Sequence, residues 1–384
     1  MVEPNIDIKK YLKSNVGKYV NKNKGIEIFS DEIKKKYGLT KIFKHDLGEN
    51  TDGPSPNVIS AISKMVLDSC LLSEYPDSSY AALRKNLGEL YGLKFEHFSM
   101  GTGCNELIQR ISRIWLNRND TVVFPIPSFF KIEDITLQYG GIPIYINLRE
   151  VEGFQWTSKI TDEVVAVIKK ARPKLVWLVT PNNPTGGSIP IDDIEHIVQQ
   201  TRDGSIIVVD EAYGEFADNP DKSNSAISLI IREIKNLLVL RTFSKAYGLA
   251  GLQIGYCVGP RDIIKIVERA RLEFPVGNLA SKLAILALHD QGYIADSVMK
   301  VSKNRKLLEL SLKRIDDIQF FPSITNTILI KHHRLNLYQE LLKRGILVAR
   351  MEITGLNGNN YIRMTIKDPE ENNIVVNAIQ NLGC

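Results

Sequence analysis

Short apolar, β-branched runs recur between residues 99 and 260, and amphipathic helical stretches lie between most of them. The runs are Thr121–Phe124, Ile142–Ile146, Leu175–Val179, Ile206–Val209, Leu237–Leu240 and Ile254–Val258. Strands that alternate with helices predict an α/β fold with a doubly wound, mostly parallel sheet covered on both faces. Ligands gather at the carboxyl ends of the strands in such sheets, so we expect functional residues there.

The pattern changes beyond Pro275, and we predict two folded parts in this chain of 384 residues. Residues 46–275 would form a large domain. Residues 276–384 would form a smaller α/β domain that begins with a long helical stretch to about Leu312. Its predicted strands are Thr327–Lys331, Ile346–Ala349 and Tyr361–Ile366. The polar, lysine-rich stretch 1–45 would be an arm leading into the large domain.

The composition, 43% hydrophobic and 24% charged, is that of an ordinary globular protein. The formal net charge is +5, but the lysines are scattered among acids, which argues against nucleic-acid binding. The four cysteines show no CxxC spacing, which argues against a metal site and for a reducing compartment. Met1–Lys13 has no apolar signal core, and no run is long enough to span a membrane, so we expect a soluble, cytoplasmic protein.

Two residues near the ends of predicted strands are candidates for chemistry. Asp210 closes the run Ile206–Val209, and a carboxylate in that position needs a partner. Lys245 follows the next strand, just after the hydroxyl residues Thr242 and Ser244, which suit a phosphate. Each also has an ordinary interpretation, as a strand-ending acid and a surface lysine. If Lys245 is sequestered, its ammonium loses a proton more easily and becomes a usable nucleophile.

Two turns in the same region are candidates for ligand binding. Gly101–Glu106 precedes a helix, and its glycines permit a tight turn that points free amides at an anion. It lacks the third glycine of a dinucleotide fingerprint and the lysine of a P-loop, so a plain helix cap explains it as well. Pro181–Gly187 is either a structural turn or one that presents Asn183 to a ligand oxygen. Tyr213 would add a phenol there, and Phe129 is either core or a ring stacked on a planar ligand.

The order of these elements (glycine turn, aromatic residue, NNPTG, DEAY, SKAY) resembles that of the class I/II, fold-type I aminotransferases that depend on pyridoxal phosphate (PLP). The resemblance runs from about Asp46 to the C-terminus. Its most specific segments are NNPTG and RTFSKAYGLAGLQIGY. Within the family the chain looks like the histidinol-phosphate aminotransferase branch. The resemblance implies the fold-type I architecture, the PLP cofactor and a homodimer with shared sites.

The resemblance also implies roles for the matching residues around the cofactor ring. Lys245 would form a Schiff base with PLP and later move the proton at the substrate Cα. Asp210 would pair with the ring nitrogen, and Asn183 and Tyr213 would hold the ring hydroxyl oxygen. Phe129 would stack on the ring. Lys245, Asp210 and Tyr213 are the predicted catalytic residues.

The cofactor phosphate and the substrate receive implied ligands as well. The amides of Cys104 and Asn105, with the hydroxyls of Thr242 and Ser244, would hold the phosphate. Gly103 and Gln253 are further predicted cofactor-binding residues. Tyr75 would reach the phosphate from the partner subunit. Arg363 would clamp the substrate carboxylate through two parallel hydrogen bonds, and Arg350 and Asn50 are further substrate-binding candidates.

Four positions depart from the family pattern, and one of them is Glu74, which replaces the common arginine before Tyr75. Gln253 stands where the family usually has an arginine that bonds the cofactor phosphate, which removes a cation beside a dianion. Asn105 replaces the usual aspartate of the glycine turn and makes the pocket one charge less negative. Arg350 lies one residue beyond the position where the family often has an arginine for a second substrate anion. The distal group of the substrate is therefore open.

The cofactor stabilises a carbanion whichever bond to Cα breaks, and the protein selects the bond by orienting the substrate. Our leading hypothesis is an aminotransferase that uses an amino acid such as glutamate and a small, phosphorylated amine or keto partner. The alternative enzyme is a PLP-dependent decarboxylase of a phosphorylated amino acid, of the threonine- or serine-phosphate type. A non-catalytic PLP- or nucleotide-binding scaffold is the alternative from another class.

Overall fold

The computed structural model describes residues 30–65, 67, 69–201, 204–219, 221–356 and 358–382. The predictions for Met1–Lys13, for most of the N-terminal arm, and for the cysteines at positions 70 and 384 lie outside the described backbone or side chains. Within the described part, strands and helices alternate along most of the chain. The strands are β1 Phe43–His45, β2 Phe98–Gly101, β3 Thr121–Ile126, β4 Ile142–Asn147, β5 Leu175–Val179, β6 Ile206–Asp210, β7 Leu237–Thr242, β8 Gly255–Val258, β9 Ile318–Phe320, β10 Thr327–His332, β11 Ile346–Arg350 and β12 Tyr361–Thr365.

Fourteen α-helices accompany these strands in the described residues. They are α1 Ser30–Tyr37, α2 Pro56–Met65, α3 Ser69–Ser73, α4 Ala81–Tyr91, α5 Gly103–Trp115, α6 Phe130–Gln138, α7 Ser158–Ala171, α8 Ile191–Gln200, α9 Ile227–Ile231, α10 Arg261–Arg269, α11 Asn278–His289, α12 Gln291–Leu312, α13 Leu337–Lys343 and α14 Pro369–Gln380. None of the helices in the described part is long and apolar enough to cross a membrane.

The larger sheet has seven strands in the order β2-β8-β7-β6-β5-β3-β4. All neighbours are parallel except that β8 runs antiparallel to both β7 and β2. The predicted mostly parallel α/β sheet is therefore confirmed, and all six strands predicted between residues 121 and 258 are present. Strand β2 was missed because four residues with a glycine and a serine carry no apolar run.

Both faces of this sheet are buried, as the apolar runs require. On β5, Val176 and Leu178 belong to one core cluster, whereas Leu175, Trp177 and Val179 belong to the cluster on the opposite face. Successive side chains of a strand point to opposite faces, so a continuous apolar run serves a sheet covered by helices on both sides.

The smaller sheet has five strands in the order β1-β11-β12-β10-β9, with β1 parallel to β11 and the remaining pairs antiparallel. Its core is a separate cluster that includes residues of α13 and α14. Because β1 belongs to this sheet, the last part of the predicted arm is folded against the C-terminal strands. The domain boundaries at residues 45 and 275 stay a prediction.

The predicted helical stretch to about Leu312 is present and consists of two helices, α11 and α12, which meet at Asp290. The Asp290 carboxylate accepts hydrogen bonds from Ser55 and from Asn57, the latter at 2.7 Å. The break is thus fixed by a contact with the start of α2, which is distant in sequence and left no local pattern.

A buried ion cluster joins the end of β7 to the segment that follows β6. The Arg241 side chain is fully buried, and its Nε donates to Glu211 Oε2 at 2.8 Å. Its Nη1 and Nη2 donate to the two carboxylate oxygens of Asp218 at 2.9 and 2.8 Å, and Glu215 lies 3.3 Å from Nη1. A Cβ at Gly214 would lie 2.3 Å from the guanidinium carbon. Glycine is therefore required where the backbone passes over Arg241.

Replacing Arg241 with Met should lower the free energy of unfolding by about 3–5 kcal/mol, because Glu211 would lose the cation that pairs with its buried charge and Asp218 would keep only Lys222, at 3.3 Å. Denaturant unfolding followed by circular dichroism measures the change. Arg232→Met is the matched control, since Arg232 forms an exposed pair with Glu195 at 2.9 Å, and it should cost about 1 kcal/mol or less. Equal effects of the two substitutions would contradict this account of the cluster.

Candidate active site

The carboxyl ends of β5, β6 and β7 open into a cavity of about 540 Å³ that the smaller sheet closes from the other side. It brings together most of the residues predicted from the sequence. Those that line it are Gly103, Cys104, Asn105, Phe129, Asn183, Asp210, Tyr213, Thr242, Ser244, Lys245, Gln253, Arg350 and Arg363. Tyr75 and Asn50 are not part of the lining.

The Lys245 amine is held at the floor of the cavity. Its Nζ donates to the Leu47 carbonyl oxygen at 2.8 Å and lies 5.2 Å from the centroid of the Tyr213 ring. The backbone can come this close because residue 48 is glycine at φ +63°, where a Cβ would lie 2.9 Å from the Tyr213 hydroxyl. A segment that follows the smaller sheet's first strand thus positions a lysine of the larger domain.

Asp210 ends β6 with its carboxylate buried beside the cavity. Its Oδ1 accepts a hydrogen bond from the Ala212 amide at 3.0 Å. Burial raises the pKa of Asp210 from 3.8 to about 6, and the neighbouring Glu211 charge adds to the rise, while the Ala212 amide and Lys245 oppose it. Such a carboxylate is suited to pair with a cationic group of a ligand in the cavity.

Tyr213 contributes an activated phenol. Burial alone would raise its pKa, but the charges of Lys245 and Arg363 outweigh burial and lower the pKa below its usual value of 10.0. A phenol between two cations is a good partner for a ligand oxygen, because it can donate or accept a hydrogen bond.

Arg363, on β12 of the smaller sheet, reaches across to the larger domain. Its Nη1 donates to Asn183 Oδ1 at 2.6 Å, and its Nη2 donates to the Asp46 carbonyl oxygen at 2.7 Å. Its Nε is buried without a hydrogen-bond partner among the described residues. A buried guanidinium with donor capacity left over is suited to bind a carboxylate.

The first turn of α5 and the end of β7 form the opposite end of the cavity. Gly103 has φ +68°, and the amides of Cys104 and Asn105 begin the helix. Thr242 Oγ1 and Ser244 Oγ lie 3.1 Å apart. Free amides at a helix N-terminus together with hydroxyl donors suit a phosphate group.

Two glycine positions and one glutamine complete that end. A Cβ at Gly255 would lie 2.8 Å from the Gly103 carbonyl carbon, so β8 needs a glycine to let α5 approach. Gln253 Nε2 donates to the Ala250 carbonyl at 2.5 Å. Its Oε1 lies 3.5 Å from where a Cβ of Gly103 would be, which places the Gln253 amide beside the first turn of α5.

Phe129 and Phe130 form an aromatic wall at the start of α6. Their ring centroids lie 5.5 Å apart at 66°, and both residues line the cavity. Lys131 follows directly and also lines the cavity. Phe130 and Lys131 were not predicted from the sequence, although their position next to Phe129 could have indicated them.

Three of the predicted residues lie differently from the rest. The Tyr75 side chain is 82% exposed and stacks on Phe274 with ring centroids 4.8 Å apart. The Asn50 side chain donates to the Ala246 carbonyl at 2.8 Å and so supports the backbone next to Lys245. Arg350 borders the cavity but is bonded to Glu352. The roles predicted for these three residues stay predictions.

Comparison with known proteins agrees with this geometry. The family model for aminotransferase class I and II matches residues 40–379. A histidinol-phosphate aminotransferase from Thermoanaerobacter pseudethanolicus is 35% identical, over 92% of this chain and 97% of its own length. Histidinol-phosphate aminotransferase 2 from Carboxydothermus hydrogenoformans is 32% identical, over 91% of this chain and 93% of its own length.

Among solved structures, the histidinol-phosphate aminotransferase from Sinorhizobium meliloti, crystallised in complex with pyridoxal-5'-phosphate, superposes with a TM-score of 0.80. The match covers 92% of this chain and 94% of that chain at 23% identity. At this level of identity the likeness establishes the shared fold.

Asp210→Asn should stabilise the cofactor-free protein at neutral pH. Between pH 3.8 and about 6 the folded protein holds a proton that the unfolded chain has released, so the free energy of unfolding falls as pH rises through this window. Removing the charge should therefore raise the free energy of unfolding at pH 8 by about 1–3 kcal/mol, with the difference vanishing near pH 4. Denaturant titrations of both proteins across this range measure it.

Asp296→Asn provides the control, because Asp296 is exposed on α12 and its replacement should change stability by about 0.5 kcal/mol or less at any pH. A difference between Asp210→Asn and the unsubstituted protein that is constant with pH would show that Asp210 does not carry the effect.

Proposed function

Because the chain belongs to the aminotransferase class I and II family, we propose that it moves an amino group between an amino acid, with glutamate as the donor, and a small phosphorylated keto or amine partner. The enzyme is an aminotransferase. The observation that carries the proposal is that Lys245, Asp210 and Arg363 meet in one cavity at the carboxyl ends of the strands. The names of the relatives, which are histidinol-phosphate aminotransferases, support the phosphorylated partner.

The cofactor is pyridoxal phosphate, and the residues present fit it. Asp210 is a buried carboxylate with a raised pKa, which a protonated ring nitrogen would stabilise in its charged form. The first turn of α5, with the hydroxyls of Thr242 and Ser244, would hold the phosphate. When bound, PLP withdraws electrons from the bonds to the substrate Cα.

The residues around the ring would orient it. Asn183 and Tyr213 would hold the ring hydroxyl oxygen, and the lowered pKa of Tyr213 makes its phenol a strong hydrogen-bond donor. Phe129 would cover one face of the ring, where it also keeps water away. These contacts fix the plane of the ring relative to Lys245.

Arg363 and Lys245 would then select the bond that breaks. Arg363 would bind the substrate carboxylate through charge-assisted hydrogen bonds and would so orient the bonds at Cα relative to the cofactor ring. Lys245 would take the proton from the substrate Cα. It would then deliver the proton to the carbon that receives the amino group. Holding the carboxylate while moving the proton favours amino transfer over decarboxylation.

Two further proposals concern the protein's surroundings. We propose a homodimer in which Tyr75 reaches the cofactor phosphate of the partner subunit. The Tyr75–Phe274 stack is exposed, and neither residue lines the cavity of its own subunit. This exposure supports the proposed dimer. The cytoplasmic location predicted from the sequence is kept as a proposal.

The test is a half-reaction in which the PLP-loaded protein is mixed with excess glutamate under anaerobic conditions. The yellow absorbance of the lysine-bound cofactor should bleach, and 2-oxoglutarate should appear in an amount equal to the enzyme. Lys245→Ala should lack the yellow band and be slower by about 10²–10⁴-fold or more, because it has lost the residue that moves the proton. Absorbance and a coupled assay for 2-oxoglutarate measure both.

Release of carbon dioxide from a phosphorylated amino acid, with no 2-oxoglutarate from glutamate, would contradict the proposal and favour the decarboxylase. An unaltered rate in Lys245→Ala would contradict the role of that lysine.

Gln253→Arg should tighten PLP binding. The phosphate end of the cavity offers amides, hydroxyls and the Gln253 amide, so a guanidinium there would add a charge-assisted hydrogen bond to a dianion. The expected decrease in the dissociation constant is about 10- to 100-fold. Equilibrium dialysis of the cofactor measures it, with Gln199→Arg, on the exposed face of α8, as the control that should leave the constant unchanged. A weaker or equal affinity in Gln253→Arg would place the phosphate elsewhere.

A further inference from the structure

The segment that follows β1, residues Asp46–Glu49, lies between the smaller sheet and Lys245, and we call it the strap. The Leu47 carbonyl oxygen of the strap accepts a hydrogen bond from Lys245 Nζ at 2.8 Å. The acceptor in this contact is a backbone atom. The direction of the carbonyl therefore depends on the residues that fix the backbone of the strap.

The centre of the strap can be held only through its backbone. Gly48 has φ +63°. A Cβ there would lie 2.9 Å from the Tyr213 hydroxyl, 3.0 Å from Thr327 Cγ2 and 3.6 Å from Lys245 Nζ. The space between the site and the smaller sheet thus leaves no room for a side chain at this position. Any contact that fixes residue 48 has to be made to its N–H or to its carbonyl oxygen.

Two side chains of the smaller sheet and its approach bond both of these backbone groups. The Gly48 amide donates to Oγ1 of Thr365, the last residue of β12, at 2.9 Å. Asn326 Nδ2 donates to the carbonyl oxygens of Gly48 and Glu49, each at 3.1 Å. Asn326 directly precedes β10, the antiparallel neighbour of β12, and its own carbonyl accepts from the Ile366 amide at 2.8 Å. The two side chains therefore hold the strap from the same end of the smaller sheet.

The Asn326 side chain has an unfavourable feature that its structural bonds leave unexplained. It is 1% exposed, and its Oδ1 is buried without a hydrogen-bond partner among the described residues. Turning the amide over would not help, because Oδ1 would then face two carbonyl oxygens, which cannot donate. Unpaired buried polar atoms are rare in folded proteins, and exceptions of this kind are commonly found at functional sites. This points to a role for Asn326 beyond folding.

The role follows from what a free lysine amine needs. A lysine side chain that is not joined to the cofactor can adopt many rotamers, but its amine has to lie within reach of the substrate Cα when it takes the proton. The hydrogen bond from Nζ to the Leu47 carbonyl restricts these rotamers and leaves the other positions on the nitrogen for the cavity. The amine is placed only as well as that carbonyl is placed.

We propose that Asn326 is a positioning residue for Lys245. Together with Thr365 it fixes the strap, so that the Leu47 carbonyl holds the lysine amine whenever the amine is not joined to the cofactor. The inference rests on the proposed function, since it concerns the proton that Lys245 moves. Neither Asn326 nor Thr365 lines the cavity, so both act through the backbone of the strap.

The first measurement uses the cofactor-free protein. Asn326→Ala should speed amide hydrogen exchange in a peptide that contains the strap by about 3- to 10-fold, because hydrogen bonds to its backbone are lost. Thr365→Val, which keeps the shape of threonine, should have a similar effect. Thr365→Ser keeps the hydroxyl and should exchange like the unsubstituted protein. Mass spectrometry of peptic peptides measures the exchange.

Asn304→Ala is the matched control. Asn304 is also a buried asparagine whose side chain donates to a backbone carbonyl, that of Lys367 at 3.0 Å, but it does not contact the strap. Its replacement should leave exchange in the strap unchanged, and it should leave unchanged the rates described next.

The second measurement follows Lys245. When PLP is added to the cofactor-free protein, the yellow absorbance of the lysine-bound cofactor should appear about 3- to 10-fold more slowly in Asn326→Ala, because the amine is less well placed. Bleaching by glutamate should slow by about 10- to 100-fold, with little change in the glutamate concentration that gives half the maximal rate. The isotope effect of α-deuterated glutamate on bleaching should rise, since proton transfer then limits the rate more strongly.

Faster exchange in the strap with unchanged rates of both colour changes would overturn the inference, because Asn326 would then hold the strap without affecting Lys245. Unchanged exchange in Asn326→Ala would overturn it as well. If glutamate does not bleach the unsubstituted protein, the proposed function fails, and the appearance of the yellow band decides the inference. A slower appearance in Asn326→Ala than in Asn304→Ala then supports the role of Asn326, and equal rates overturn it.

Discussion

The burial of the Asp210 carboxylate at the carboxyl end of β6 is the constraint on which the site depends. Burial of the charged carboxylate raises its pKa to about 6, although one backbone amide donates a hydrogen bond to it. A cationic cofactor ring beside Asp210 would lower this cost, because the carboxylate would gain an ion pair in place of its lost hydration. Functional sites commonly carry such a local instability.

The next residue along the chain, Glu211, is also a buried carboxylate, but it is paired with a cation of the protein itself. Glu211 turns toward Arg241, whose buried guanidinium it shares with Asp218. These ion pairs join the segment that carries Asp210 and Tyr213 to the strand that leads to Thr242 and Lys245. They hold the two segments in place, because a displacement of either segment would leave a charge with fewer partners. Of these two neighbouring carboxylates, Glu211 is thus paired within the protein, whereas Asp210 borders the cavity.

The smaller sheet and the segment after β1 supply contacts that complete the cavity of the larger sheet. Arg363 reaches Asn183 and the Asp46 carbonyl, and the Leu47 carbonyl holds Lys245. The cavity lies where the two sheets face each other, so a change in their relative position would alter the contacts of Lys245 and Arg363 together. This arrangement gives a reason why strand β1, far from the C-terminal strands in sequence, is paired with β11.

The sequence by itself determined the parallel sheet, its six apolar strands and the motifs that meet at their carboxyl ends, because periodicity and turn residues act locally. From those motifs it also indicated the cofactor, and the residues it predicted for the ring line one cavity. It missed β1, β2 and β9, the break between α11 and α12, and Lys131 as a cavity residue. Only the tertiary structure decided the pairing of Arg350 with Glu352 and the exposure of Tyr75. Which face a strand residue takes depends on pairing with residues distant in the chain, and a shift of one residue reverses it.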